Sequence, residues 1–179
     1  MTKKYISLTT GEPAGIGPDI ACMLTNSPLA DNILIISDPE ILTSRYKKLF
    51  NKKLNIIETN SPDTHLINKK DYLKVYPIKY NSPVKLGEPN PDHAPQILES
   101  LDIAINLCKK NITSAMTTGP INKANINKAN INNFNKFTGH THYIADKFNK
   151  KNPVMMFAHE NLKIALSTVH IPLNQVSRS

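Results

Sequence analysis

The sequence predicts an α/β fold built on a largely parallel sheet. Three observations carry that prediction. Short apolar runs alternate with amphipathic stretches along the chain. One run, Asn32 to Ser37 (NILIIS), is nearly continuously apolar, the pattern of a parallel strand covered on both faces. Two other runs, YISLT and Ser114 to Thr117, end in Gly/Pro turns that lead straight into helical patterns.

The elements follow in order. Tyr5 to Thr9 (YISLT) is a short strand closed by a Gly/Pro-rich loop. Pro18 opens a short helix around Asp19 to Leu24, because proline fits the first helical turn. After the strand at Asn32 to Ser37, Asp38 is an N-cap and Pro39 a first-turn residue. Ile41, Leu42, Tyr46, Leu49 and Phe50 then recur at helical spacing. Leu54 to Ile57 is a third strand. Asn60 to Glu88 is irregular and Pro-punctuated, with a short strand near Leu73 to Tyr76. Asn90-Pro91 starts the clearest helix, with Ile97, Leu98, Leu101, Ala104, Ile105 and Cys108 on one stripe. Ser114 to Thr117 is a brief strand, followed by the Gly119-Pro120 turn and a helix near Asn122 to Ala129. Thr141 to Phe148 reads as helix. Pro153 to Ala158 and Lys163 to Val169 read as two strands separated by a break at His159-Glu160-Asn161. Pro172 begins a further helix. The segment NKANINKANINNFNK is rich in Asn and Lys, yet its Ala and Ile at helical intervals argue against disorder.

Bulk composition limits the function classes. At 179 residues the chain can hold one domain with a proper core, or one and a part. Its 40% hydrophobic and 20% charged residues describe a globular protein. No apolar run approaches the roughly 20 residues of a membrane span, and the N-terminus lacks the apolar core of a signal peptide. Cys22 and Cys108 lie in apolar helical surroundings, so buried thiols in a reducing cytoplasm are expected. The net charge is +8 and the pI about 9.4. The lysines are scattered or in short pairs and never form a basic stripe with interleaved aromatics. Nucleic acid is therefore not the expected partner. A positive surplus instead helps to draw in an anionic substrate.

Three stretches carry chemistry. GEPAGIGPD is not a dinucleotide fingerprint, because Ile20 stands where the third glycine would be. It is not a P-loop either, since no Gly-Lys-Ser/Thr follows. Gly15 and Gly17 allow unusual dihedrals, and Pro18 begins a helix whose free N–H groups favour an anion. A tight strand-to-helix turn is the plain alternative. TTGPINK has the same design, with hydroxyls at Thr117 and Thr118; Lys123, taken alone, reads as solvated. TGHTHY offers His140 and His142. On a strand these would share a face and could hold a metal, but the helical pattern parts the two rings. His140 and Thr141 fit better as hydrogen-bonding groups at a helix start. His170 ends an apolar strand, at the edge where ligands of open α/β sheets bind. By itself a lone histidine reads as structural or exposed, and that reading applies to His65, His93 and His159. Asp146 and Glu160 read as surface groups.

In combination these stretches resemble the 4-hydroxythreonine-4-phosphate dehydrogenase (PdxA) family. The matching segments are GEPAGIGPDI, KLGEPNPDHAPQILESLDIAI at Lys85 to Ile105, TTGPINKANIN at Thr117 to Asn127, FTGHTHYIAD at Phe137 to Asp146, and VMMFAHENLKIALSTVHIPL at Val154 to Leu173. They occur in family order along the whole chain. The resemblance implies a fold like isocitrate and isopropylmalate dehydrogenases, here incomplete at the C-terminus. That fold has two α/β lobes with a cleft between them, the boundary falling near 118–138, and works as a cytoplasmic homodimer. The implied reaction is oxidation of 4-phosphooxy-L-threonine by NAD or NADP, then decarboxylation to 3-amino-2-oxopropyl phosphate, in pyridoxal phosphate (vitamin B6) biosynthesis. A divalent metal (zinc, magnesium or cobalt) is implied as well.

Carried over by position, His140 and Thr141 match the family's substrate-binding pair. His170 matches the first of three metal-binding histidines, which displaces its plain reading. No catalytic acid–base or cofactor-contacting residue is assigned. Family members continue for roughly as long again. That further part holds two metal histidines, a Lys/Asn/Arg substrate group and most of the cofactor site. The expectation is therefore a fragment, a split-gene half or a decayed gene product without turnover of its own. The alternative is a non-catalytic phosphate-ligand-binding or dimerisation module of the same fold. A phosphoacyl transferase would need coenzyme A binding, which nothing in the sequence signals.

Overall fold

The computed structural model describes residues 5–60, 72–129, 131, 136–169 and 171–178. The chain divides into two compact units, Met1–Thr138 and Gly139–Ser179.

The first unit is built on a five-stranded sheet of order β3-β4-β2-β1-β5. Its strands are β1 (Ile6–Thr9), β2 (Ile33–Ser37), β3 (Asn55–Glu58), β4 (Tyr72–Pro77) and β5 (Ala115–Thr118). Every pairing is parallel, with Leu8 beside Ile35 and Thr117, and Ile35 beside Val75. The apolar run of β2 has the expected cause: Leu34, Ile35 and Ile36 are all fully buried. Ile35 joins Leu73 and Val75 in a cluster with Ala21, Cys22, Leu42 and Tyr46. These last four come from α1 (Gly17–Met23) and α2 (Pro39–Phe50). Leu34 and Ile36 face the other way, since strand side chains alternate. There α3 (Ala94–Lys109) packs against β1, β2 and β5 and buries Ile97, Leu98, Leu101, Ala104 and Ile105. Helices thus cover both faces, as a parallel sheet requires.

Local signals fix the helix ends. The Asp38 carboxylate accepts the Glu40 N–H at 2.8 Å, so α2 starts where the sequence predicts. It stops at Asn51, whose φ of 52° is left-handed. Asn90-Pro91 starts a 3-10 turn (Pro91–His93), and α3 follows it directly. Asn122 caps the short α4 (Lys123–Lys128) by accepting the Asn125 N–H.

Four expected core positions differ, and of these Ile41 and Phe50 are half-buried. Leu49 is 41% exposed, at the edge of the stripe that buries Leu42 and Tyr46. Cys108 is only half-buried; its thiol lies 3.3 Å from the Thr113 hydroxyl. Cys22 is buried as expected and donates to the Leu42 carbonyl, and both cysteines are free. Burial, with help from the Asp19 charge, pushes the Cys22 thiol up to about 12.

The second unit contains α5 (His140–Lys147) and an antiparallel hairpin of β6 (Met156–His159) and β7 (Leu162–Ala165). Of the expected break His159-Glu160-Asn161, the last two residues form the hairpin turn, with Glu160 at φ 44°, while His159 ends β6. β7 ends at Ala165, short of the expected Val169. Beyond Pro172 the chain forms a 3-10 turn (Leu173–Arg178), not an α-helix. All hairpin strand residues are exposed. Among the described residues, no helix is long and apolar enough to cross a membrane.

Candidate functional site

The two Gly/Pro loops of the first unit meet at the carboxyl edge of the sheet. β1 and β5 are neighbours, and their outgoing chains diverge. β1 runs to α1, which packs on α2; β5 runs to α4, which packs on α3. Such a divergence is where open α/β sheets form a ligand crevice. The loops are joined by backbone: the Gly119 N–H donates to the Thr9 carbonyl at 2.7 Å, and the Glu12 N–H to the Pro120 carbonyl at 2.9 Å. Thr10 Oγ1 lies 3.0 Å from Ser37 Oγ, which ties in the end of β2.

Close approach explains the glycines better than dihedral freedom does. The sequence allows unusual dihedrals at Gly15 and Gly17, but neither has a positive φ. A Cβ at Gly17 would instead collide with the Thr10 carbonyl, whereas one at Gly15 would meet only ordinary contacts. Gly11 is the residue that needs both freedoms. Its φ is 71°, and a Cβ there would run into the Pro120 carbonyl.

The floor of the first loop holds polar groups that local spacing did not reveal. Arg45, 7% exposed, reaches up from α2. Its Nη2 donates to the Pro13 and Gly15 carbonyls, each at 3.0 Å, and its Nη1 to the Asp19 carboxylate at 3.2 Å. The one available signal was its place on an apolar stripe, since it follows Leu42 by three residues and precedes Tyr46. Glu12 and His93 are also buried, with Glu12 Oε1 3.5 Å from His93 Nδ1. The other ring nitrogen donates to the Pro83 carbonyl at 3.3 Å, since a carbonyl only accepts. Tyr80 packs edge-on against the His93 ring at 5.5 Å, and its hydroxyl donates to the Gly11 carbonyl at 3.4 Å. Burial, and then the Glu12 charge, raise the Tyr80 phenol above its ordinary range. Beside the loop, an open cavity of about 440 Å³ lies between α2 and segment 79–86, with Asp38, Arg45 and Tyr80 among its walls.

The remaining sequence-derived residues fall as follows. Thr117 is exposed and Thr118 half-buried, while Lys123 is solvated as expected. His140 and Thr141 form the first turn of α5 in the second unit, after Gly139 at φ 147°. His140 is half-buried; Thr141 and His142 are exposed. His140 and His142, two apart on a helix, project about 200° apart, so they do not form a joint metal pair. His159, Asp146 and Glu160 are exposed, and His93 is structural. His170 and His65 lie outside the described residues. Among the described residues, no group of three His, Cys, Asp or Glu side chains could hold a metal ion.

Comparison with known proteins gives one consistent family. The family model described as pyridoxal phosphate biosynthetic protein PdxA matches residues 29–179. The 4-hydroxythreonine-4-phosphate dehydrogenase of Saccharophagus degradans is 37% identical over 172 residues, covering 96% of this chain and 50% of the relative. That of Wigglesworthia glossinidia brevipalpis is 36% identical over 173 residues, covering 97% and 51%. The crystal structure of the 4-hydroxythreonine-4-phosphate dehydrogenase from Klebsiella pneumoniae has the same fold. It aligns with a TM-score of 0.84 at 23% identity, over 96% of this chain and 53% of that one. The chain spans about half the length of the curated relatives it matches. From the extent of these matches, the chain belongs to the PdxA family of pyridoxal phosphate biosynthetic proteins.

Proposed function

We propose that this chain is the N-terminal, substrate-binding part of a 4-hydroxythreonine-4-phosphate dehydrogenase. The reaction is NAD(P)-dependent oxidation and decarboxylation of 4-phosphooxy-L-threonine to 3-amino-2-oxopropyl phosphate. The observation that carries this reading is the meeting of the β1 and β5 loops at the sheet's carboxyl edge, in a chain whose curated relatives bear that enzyme's name. In this reading the loops cradle the anionic substrate. His140 and Thr141, in the first turn of α5, are proposed as substrate-binding residues in their own right, from their match to the family's pair. Bound NAD(P) supplies the hydride acceptor.

His170 is proposed as one ligand of a divalent ion such as zinc, magnesium or cobalt. The described residues bring no three-ligand set together. The further ligands belong to the part of the relatives that this chain does not match. A cytoplasmic homodimer is part of the same reading.

The test combines calorimetry and kinetics. The chain is expected to bind 4-phosphooxy-L-threonine, and His140→Ala with Thr141→Val is expected to abolish that binding. With NAD and zinc or magnesium, no NADH is expected from the isolated chain. NADH formation that depends on His170 would contradict the proposed division of labour. Absence of substrate binding in the wild type would contradict the reading as a whole.

A further inference from the structure

We infer that Arg45 is the positioning residue of the Gly11–Gly17 loop: its guanidinium decides which backbone groups that loop turns toward a ligand. Nη2 takes the Pro13 and Gly15 carbonyls, and Nη1 takes Asp19 in the first turn of α1. Peptide units are planar and trans, so each carbonyl pointed at Arg45 turns the next N–H the opposite way. The Ala14 N–H thereby meets the Glu12 carboxylate at 3.3 Å, and the Ile16 N–H is directed away from the guanidinium.

The other carbonyls of the loop are engaged too. Gly11 accepts from Tyr80, Glu12 from the Gly15 N–H at 3.0 Å, and Ala14 from the Gly87 N–H at 2.9 Å. Every carbonyl from Gly11 to Gly15 therefore faces a protein donor, and one side chain holds two of them. A loop with its acceptors turned inward can receive an acceptor-rich ligand; outward carbonyls would repel one. Only arginine offers enough donors in a rigid plane for this task. The lysine ammonium is a compact charge that cannot reproduce the fork. This inference deepens the proposed function, but the loop geometry it describes does not depend on that reading.

The test uses the full ¹⁵N-labelled chain as wild type, Arg45→Lys and Arg45→Ala. Amide exchange at Glu12, Gly15 and Gly87 should accelerate at least tenfold in Arg45→Lys, with Ile36 in β2 unchanged. Methylguanidinium should restore loop protection to Arg45→Ala; if that variant does not fold, Arg45→Lys decides. Affinity for 4-phosphooxy-L-threonine should fall at least tenfold in Arg45→Lys. Wild-type exchange and affinity in Arg45→Lys would overturn the inference. So would equal acceleration at Ile36, which would mean a general loss of stability. If the wild type binds no 4-phosphooxy-L-threonine, the proposed function fails, and the exchange measurements alone decide the role of Arg45.

Discussion

In the first unit Leu34, Ile35, Ile36 and Leu42 have no exposed surface; in the second, Met156, Phe157 and Leu162 are each about 60% exposed. Both sets are apolar and both lie on regular elements. The difference is what covers them. β2 is sandwiched between α3 and the α1–α2 pair, so each of its side chains lands in a packed layer. The β6–β7 hairpin has four residues per strand, and Phe157, Leu162 and Ile164 on one face remain open. A lone two-stranded hairpin is marginal in water. Apolar pattern thus creates a core only where a second layer meets it, and the stability of this chain resides in the first unit.

The largest expected effect tests that contrast directly. Leu101→Ala, at a fully buried site on α3, should cost about 2–5 kcal/mol in denaturant unfolding. Leu162→Ala in the hairpin should change stability by less than about 0.5 kcal/mol. Equal costs would break the comparison.

Gly17→Ala should cost about 1–3 kcal/mol, because the new methyl meets a backbone carbonyl that cannot step aside. An unchanged melting temperature would show that the loop gives way.

Cys22 sharpens the contrast through pH. Its thiol is raised from 9.0 to about 12, so the folded state favours the neutral form. That contribution is complete below pH 9 and is lost as pH rises toward 12, at about 1.4 kcal/mol per pH unit. Cys22→Ala should flatten this slope between pH 9 and pH 10, below the range where the raised Tyr80 phenol adds its own; an unchanged slope there would place its source elsewhere.

Asp38→Ala removes the α2 cap and the acceptor of the Tyr80 N–H, and should cost about 1 kcal/mol in thermal unfolding.

What the sequence made legible is what short range controls. The Asp38-Pro39 start of α2, the buried stripe of α3 and the apolar run of β2 each follow from residues within a few positions of one another. The order of the sheet was not legible, because β4 slots between β3 and β2 through long-range pairing. The same holds for the site. The two Gly/Pro loops could be read singly, but their junction at Pro120 and Glu12 spans more than a hundred residues. Arg45 and Glu12 were missed because burial of a charged side chain depends on distant partners, here Gly15, Asp19 and His93. Gly11 was passed over because its collision partner lies on another strand's loop.

The most direct measurement is a titration of the ¹⁵N-labelled chain with 4-phosphooxy-L-threonine, followed at the glycine amides. Saturable shifts at Gly11, Gly15, Gly17 and Gly119, with Ile56 in β3 unmoved, are the predicted result. Shifts that spare these four glycines while moving other residues would contradict a ligand cradle at the junction of the β1 and β5 loops.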